Sequence, residues 1–236
     1  MTGRMPRLYA IVDRATLEAR GIPVREFASE LRAAGVRLVQ YRDKANGAQE
    51  ILRAAREIDA AFEGAEVVRV MNDRADLAVL AGWEGVHVGQ GDLGVEAVRR
   101  IFDPTHRAVR LRDEWGTRMV GLSTHNEEQV RAAVEPTSQN RDVGHPHPDL
   151  GPDYLAVGPV FQTASKANAE PAVGLELVRR ARAMTERPMV AIGGITLENA
   201  ASVIAAGADA VAVIGGLFVE GRRVREVARD FLDVLG

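Results

Sequence analysis

Cysteine is absent from these 236 residues, which removes disulfides, thiolate metal ligands and a thiol nucleophile. Aromatic residues make up only 5%, too few to build the basic and aromatic face that binds single-stranded nucleic acid. Neither sign of charge dominates. Lys and Arg number 30, Asp and Glu 33, and a net charge of -3 argues against a nucleic-acid partner drawn in by the whole molecule. No apolar run approaches the ~20 residues of a membrane helix, and no early segment has the apolar centre of a signal peptide. A membrane partner is therefore not expected, and the cytoplasm is the expected location. Metalloprotease (H-E-x-x-H), P-loop and G-x-S-x-G patterns are also missing.

What is plentiful is Ala, Val, Leu and Gly, arranged in a rhythm. Residues 1–6 read as a loose tail. Strands are expected at 7–13 (RLYAIVD), 37–43, 66–73 (EVVRVMND), 85–90 (GVHVGQ), 117–123 (TRMVGLS), 154–159 (YLAVGP), 188–194 (PMVAIGG) and 210–216 (AVAVIGG). Amphipathic helices are expected between them. Val24, Phe27, Leu31 and Ala34 recur at helical spacing, as do Ile51, Ala55, Ile58 and Phe62. Asn126 is placed to cap the helix that follows it. Residues 103–116 are irregular and charged, and 136–152 are rich in proline and glycine, a loop insertion. Eight strand–helix units in one chain of this length, 1–236 without a linker, fit a single α/β domain folded as a (β/α)8 TIM barrel. An open nucleotide-binding sheet should carry G-x-G-x-x-G after its first strand, and here Asp13-Arg14-Ala15-Thr16 stands there.

In such barrels chemistry sits at the carboxyl ends of the strands. Side chains alternate along a strand, so Leu38, Gln40, Arg42 and Lys44 point one way and Val39 and Tyr41 the other. An amide and two cations converging at a strand end suit a phosphate-rich ligand, though a solvated strand end would look the same. The next strand ends contribute Asn72, Asp73, Gln90 and Asp92, then Ser123 and His125. Asp73 and Asp92 end neighbouring strands, about 4.8 Å apart, and two carboxylates that close need a proton or a cation between them. Beside Arg42 and Lys44, a phosphate-bound Mg²⁺ is the economical answer; helix capping is the ordinary alternative. Gly193-Gly194 and Gly215-Gly216 close the last two strands, where backbone amides can approach a second phosphate. Thr163, Ser165 and Lys166 add two hydroxyls and a cation on a loop. His87 lies mid-strand and reads as packed, while His106, His145 and His147 have no metal motif around them. Such a site suits displacement of pyrophosphate by a phosphorylated acceptor, so the expected partners are small phosphorylated molecules.

Seven segments, in order, resemble the thiamine phosphate synthase family: QYRDK at 40–44, NDR at 72–74, GVHVGQGD at 85–92, GLSTH at 121–125, GPVFQTASK at 158–166, AIGGIT at 191–196 and GADAVAVIGG at 207–216. The resemblance implies a transferase that joins 4-amino-2-methyl-5-hydroxymethylpyrimidine diphosphate to a thiazole phosphate, or its carboxylated form. The products are thiamine phosphate and pyrophosphate. It implies that Gln40, Arg42, Lys44, Asn72, Ser123 and Lys166 hold the pyrimidine diphosphate, with Arg42, Lys44, Ser123 and Lys166 acting on its departure. It implies Asp73 and Asp92 as Mg²⁺ ligands, and Thr163, Ser165, Gly194, Ile214 and Gly215 around the thiazole phosphate. The family reaction is dissociative, through a cation on the aminopyrimidine.

The chain departs from the family pattern at Gly215, where Ser is usual, at Gln162, where Pro is usual, and at Ser165, where Thr is usual. Two rival readings follow. A thiazole tautomerase of the same superfamily would use His125 and need no diphosphate site. A non-catalytic barrel would bind a thiamine precursor without turnover. Oligomeric state, including a homo-oligomer, is left open by the sequence.

Overall fold

Short runs of Val, Ile, Leu and Ala with both faces covered pair in parallel beneath helices. The computed structural model describes residues 5–102, 119–135, 151–163 and 171–236. In order these form β1 (Leu8–Asp13), α1 (Arg14–Glu18), α2 (Val24–Ala34), β2 (Leu38–Arg42), α3 (Ala48–Ala61), β3 (Val68–Asn72), α4 (Ala75–Ala81), β4 (Gly85–Val88) and α5 (Val95–Phe102). Then come β5 (Met119–Thr124), α6 (Glu127–Val134), β6 (Tyr154–Val157), α7 (Gly174–Met184), β7 (Met189–Ile192), α8 (Leu197–Ala205), β8 (Ala210–Val213), a 3-10 turn at Gly215–Leu217, and α9 (Val224–Leu235). The eight strands pair in chain order as a closed parallel barrel. Closure is made by β8 against β1, with Leu8 opposite Val211 and the Val211 amide donating to the Arg7 carbonyl at 2.8 Å. The chain is a (β/α)8 TIM barrel.

Strand alternation separates two apolar shells. Tyr9, Ile11, Leu38, Val70, Tyr154 and Val190 belong to a cluster made of strand residues, which fills the barrel lumen. Val39, Tyr41, Met71 and Val88 face outward into a second cluster, where Phe27, Leu31, Ile58, Val178 and Phe231 from the helices cover them. The helices therefore close the barrel's outside, and its carboxyl-terminal rim is left for polar side chains.

Several boundaries differ from expectation. The short helix α1 was not anticipated. Asp13 starts it by accepting the Thr16 amide at 2.9 Å and the Thr16 hydroxyl at 2.6 Å through Oδ1. β7 ends before its glycine pair, because Gly193 (φ 101°) and Gly194 (φ 62°) take left-handed conformations that no strand continues, and β8 ends before the 3-10 turn that opens at Gly215. Asn126 does cap α6, its Oδ1 accepting the Gln129 amide at 2.9 Å. Segments 103–116 and 136–150, with His106, His145 and His147, lie outside the described residues, as does most of the expected tail at 1–6. Among the described residues no helix is long and apolar enough to cross a membrane.

Candidate active site

At the end of β2, Gln40 and Arg42 follow Leu38 on the lumen side, as alternation requires. Gln40 is buried and its Nε2 donates to the Tyr9 hydroxyl at 2.8 Å. The Arg42 Nη1 donates to Asp13 Oδ2 at 2.6 Å; the Asp13 side chain is 1% exposed and that of Arg42 18%. Lys44 pairs with Asp73, but its side chain is 50% exposed. The two ion pairs differ in kind. Exposed pairs contribute about 0–1 kcal/mol and rearrange readily, whereas removing one partner of a buried pair costs about 3–5 kcal/mol. Arg42 is thus fixed in place and Lys44 is free to change partner. Asp43, between them, turns away from the rim: it accepts the Ala45 and Asn46 amides at 3.0 Å each and the Tyr41 hydroxyl at 3.0 Å, pinning the loop into α3.

β3 and β4 bring the two acids together. Asp73 has φ 61°, a left-handed conformation uncommon outside glycine though tolerated by Asp and Asn. Its amide donates to the His87 carbonyl at 2.7 Å, which locks that turn to β4. Asp92 folds back so that Oδ2 accepts the Gly89 amide at 2.9 Å. The Asp73 and Asp92 carboxyls are then close enough to act on each other. Burial pushes the Asp73 carboxyl above the ordinary aspartate range; the Lys44 ammonium pulls it down, and Asp92 pushes it up again. Beside them the Asn72 Nδ2 is buried with no hydrogen-bond partner among the described residues. An unpaired buried donor at a rim of this kind fits an acceptor brought by a ligand.

On the neighbouring strand β5, the Ser123 Oγ lies 2.9 Å from His87 Nε2, and Gln90 Nε2 donates to the Ser123 carbonyl at 2.6 Å. His125 donates through Nδ1 to the Gly158 carbonyl at 2.6 Å and is held from behind by Gln129, whose Oε1 accepts the His125 amide at 2.7 Å. Beyond β6 the chain is clasped to the barrel. The Val160 and Phe161 amides donate to the Ile192 and Gly193 carbonyls, while the Val173 and Gly174 amides return to the Pro159 and Val160 carbonyls at 2.8 and 3.0 Å. Thr163 is half-buried at the end of that clasp; Ser165 and Lys166 lie outside the described residues.

The last two loops touch. A Cβ on Gly216 would meet the Ile195 carbonyl at 2.3 Å, and one on Gly194 would meet the Gln162 carbonyl at 2.4 Å. Gly194, Ile214 and Gly215 thus sit on two packed turns, Gly194 against the start of the 161–163 segment. Gly215 opens the 3-10 turn, and Ile214 is buried beneath it.

A sequence model of the thiamine monophosphate synthase family matches residues 8–217. The chain belongs to the thiamine monophosphate synthase family. It is 46% identical over 234 residues to the thiamine-phosphate synthase of Koribacter versatilis, covering 98% of this chain and 97% of that one. It is 38% identical over 210 residues to the thiamine-phosphate synthase of Methanoregula boonei, covering 89% and 84%. Among solved structures it is similar to thiamine phosphate pyrophosphorylase from Pyrococcus furiosus, with a TM-score of 0.74 and 25% identity over 98% of this chain and 95% of that one.

For this family member the structure gathers Gln40, Arg42, Lys44, Asn72, Asp73, Asp92 and Ser123 on one rim, with Gly194, Ile214 and Gly215 on the adjoining turns. Four contributors went unread in the sequence. Asp13 anchors Arg42, and the only local sign was its Asp-x-x-Thr capping pattern. His87 is packed, as its mid-strand place implied, but it is also bonded to Ser123. Tyr9 and Tyr154 lie within strands expected from the sequence, and their hydroxyls meet in the lumen at 3.1 Å.

Proposed function

We propose that this chain condenses 4-amino-2-methyl-5-hydroxymethylpyrimidine diphosphate with 4-methyl-5-(2-phosphoethyl)thiazole, giving thiamine phosphate and pyrophosphate. It does so as one domain over residues 1–236, with 136–152 as a loop insertion, in the cytoplasm. The observation that carries this reading is the rim itself: two carboxylates that act on each other, two cations beside them and one buried amide donor without a partner among the described residues.

The acid pair fits Mg²⁺. Among the described residues no group of three or more ligating side chains gathers, and Mg²⁺ uses one or two carboxylates completed by phosphate oxygens and water. Asp73 and Asp92 would hold it, and when bound it supplies neutralisation of the diphosphate charge. The residues do the rest. Arg42, fixed by Asp13, meets the diphosphate with a preset guanidinium. Lys44 exchanges its carboxylate for phosphate oxygens, and Lys166 adds a second ammonium. Asn72 and Ser123 donate to oxygens, and Gln40 orients the pyrimidine. The bond between the methylene carbon and the diphosphate oxygen breaks with both electrons leaving on oxygen. The aminopyrimidine stabilises the resulting cation, and the thiazole nitrogen lone pair forms the new C–N bond. Thr163, Ser165 and the amides near Gly194, Ile214 and Gly215 hold the thiazole phosphate at attack distance. No covalent nucleophile is required.

The test is an endpoint assay with both substrates, with Mg²⁺ and with EDTA, read by mass and phosphorus NMR. Equal amounts of thiamine phosphate and pyrophosphate with Mg²⁺, and neither with EDTA, are expected. Folded protein that yields no product overturns the reading.

A further inference from the structure

Five buried or half-buried polar groups from five strands form one continuous line across the lumen. Gln40 Nε2 donates to the Tyr9 hydroxyl at 2.8 Å, and the Tyr9 and Tyr154 hydroxyls lie 3.1 Å apart. The Tyr154 hydroxyl lies 2.9 Å from His87 Nδ1, and His87 Nε2 lies 2.9 Å from Ser123 Oγ. The line has been given room. A Cβ on Gly121 would fall 2.0 Å from the Tyr154 Cζ, 2.3 Å from its hydroxyl and 2.5 Å from His87 Nδ1, so any other residue there collides with it.

We propose that this line runs in one direction and that Tyr9, Tyr154 and His87 are positioning residues which oblige the Ser123 hydroxyl to donate into the site. The direction follows from proton counting. The Gln40 amino group can only donate, so the Tyr9 oxygen receives. Tyr9 has one proton, and the acceptor in its reach among the described residues is the Tyr154 oxygen. Tyr154 has one proton, and it goes to His87 Nδ1. An accepting Nδ1 puts the ring proton on Nε2, which donates to Ser123 Oγ. Ser123 keeps its own proton, and no other acceptor for it is recorded among the described residues. A donor with no other acceptor among the described residues suits a phosphate oxygen better than a freely rotating hydroxyl, because its orientation is set before the ligand arrives. Burial supports the direction by holding both phenols well above the ordinary tyrosine range, so neither ionises. The orientation of one amide, at Gln40, therefore sets a hydroxyl on the far side of the barrel.

This inference rests on the reading of Ser123 as a diphosphate contact, and its test separates the two. Nitrogen NMR on histidine-labelled protein, with no ligand, reads the His87 tautomer, assigned by loss of its signals in His87→Gln. The proton is expected on Nε2. In Tyr154→Phe the fixed tautomer is expected to give way to a mixture. Affinity for pyrophosphate in the presence of Mg²⁺, read by calorimetry, should fall about tenfold, the size of one hydrogen bond to a charged group. Gln40→Glu replaces the donor by an acceptor and should move the proton to Nδ1. A wild-type proton on Nδ1 overturns the line. So does a Tyr154→Phe protein in which tautomer and pyrophosphate affinity are both unchanged, whatever its melting temperature, because a packing role alone would lower stability and leave the tautomer alone. A fixed Nε2 tautomer in a protein with no synthase activity leaves the line standing and overturns the proposed function.

Discussion

Asp92 uses one carboxylate oxygen to accept the Gly89 amide and turns toward Asp73 with the same group. Replacing it with Asn retains an oxygen for the Gly89 amide and removes only the charge. Asp92→Asn is therefore expected to fold normally, by an unchanged melting temperature, and to lose about a hundredfold in turnover at limiting Mg²⁺, the scale of a lost metal contact. Unchanged turnover would remove Asp92 from the proposed metal site. The gathering of Gln40, Arg42, Asn72, Asp73, Asp92 and Ser123 at one rim was legible from the sequence, because strand order sets the carboxyl ends of β2 to β5 side by side. The supports behind them were not. Arg42 owes its position to Asp13, a residue 29 positions away whose only local signature was a helix cap. The link between Ser123 and His87 spans 36 positions and depends on β4 and β5 being neighbours in register, with His87 opposite Gly121. Periodicity reports which face a side chain occupies, and it does not report which side chain on that face comes within 3 Å.

The loop from β2 into α3 shows how an element can carry a site while staying out of it. Asp43 lies inside the most recognisable run of the chain, yet it serves the backbone. Burial would raise its carboxyl, but the amides of Asn46 and Ala45, the Asn46 side chain and the Tyr41 hydroxyl together hold it below its ordinary value of 3.8. A folded value below the unfolded one means that the charged form stabilises the fold. That contribution is complete above about pH 5, past the unfolded aspartate value, and is lost as pH falls through the folded value. Asp43→Ala is expected to lower stability by about 1–2 kcal/mol at pH 7. In urea titrations the gap between wild type and variant should narrow at pH 3. An equal gap at both would show that the loop does not depend on the charge. Element boundaries were the least legible part of the sequence at such junctions. α1 is too short to show a period, and β7 and β8 end where Gly193-Gly194 and the Gly215–Leu217 turn leave extended geometry, which composition alone does not date to a residue.

At the scale of the whole molecule, a ring of strands has no free edge, and its last units are as structural as its first. The family match ends at residue 217, whereas α9 begins at Val224. Packing places that helix inside the fold: Val227, Ala228, Phe231 and Leu235 are all 2% exposed or less. Burying a large apolar side chain contributes roughly 1.5–3 kcal/mol, so three of them approach the 5–15 kcal/mol by which a typical protein is stable. A chain ending at Arg223 is expected to lose its cooperative thermal transition; a truncated protein that melted as the intact one does would make α9 an accessory. The barrel as a whole was the most legible feature, because eight repeats of one pattern reinforce each other where a single strand is ambiguous.

The clasp beyond β6 has a consequence for how specificity can change. Pro159 and Val160 are tied to Val173 and Gly174, so everything between the two anchor pairs enters and leaves the barrel at one fixed doorway. Doubling the length of a segment held at both ends adds only about 0.6 kcal/mol of closure cost. The stretch that carries Thr163, Ser165 and Lys166 is thereby an exchangeable cassette. Its length can change by descent or by grafting while the rim side chains carried by β2 to β5 keep their geometry.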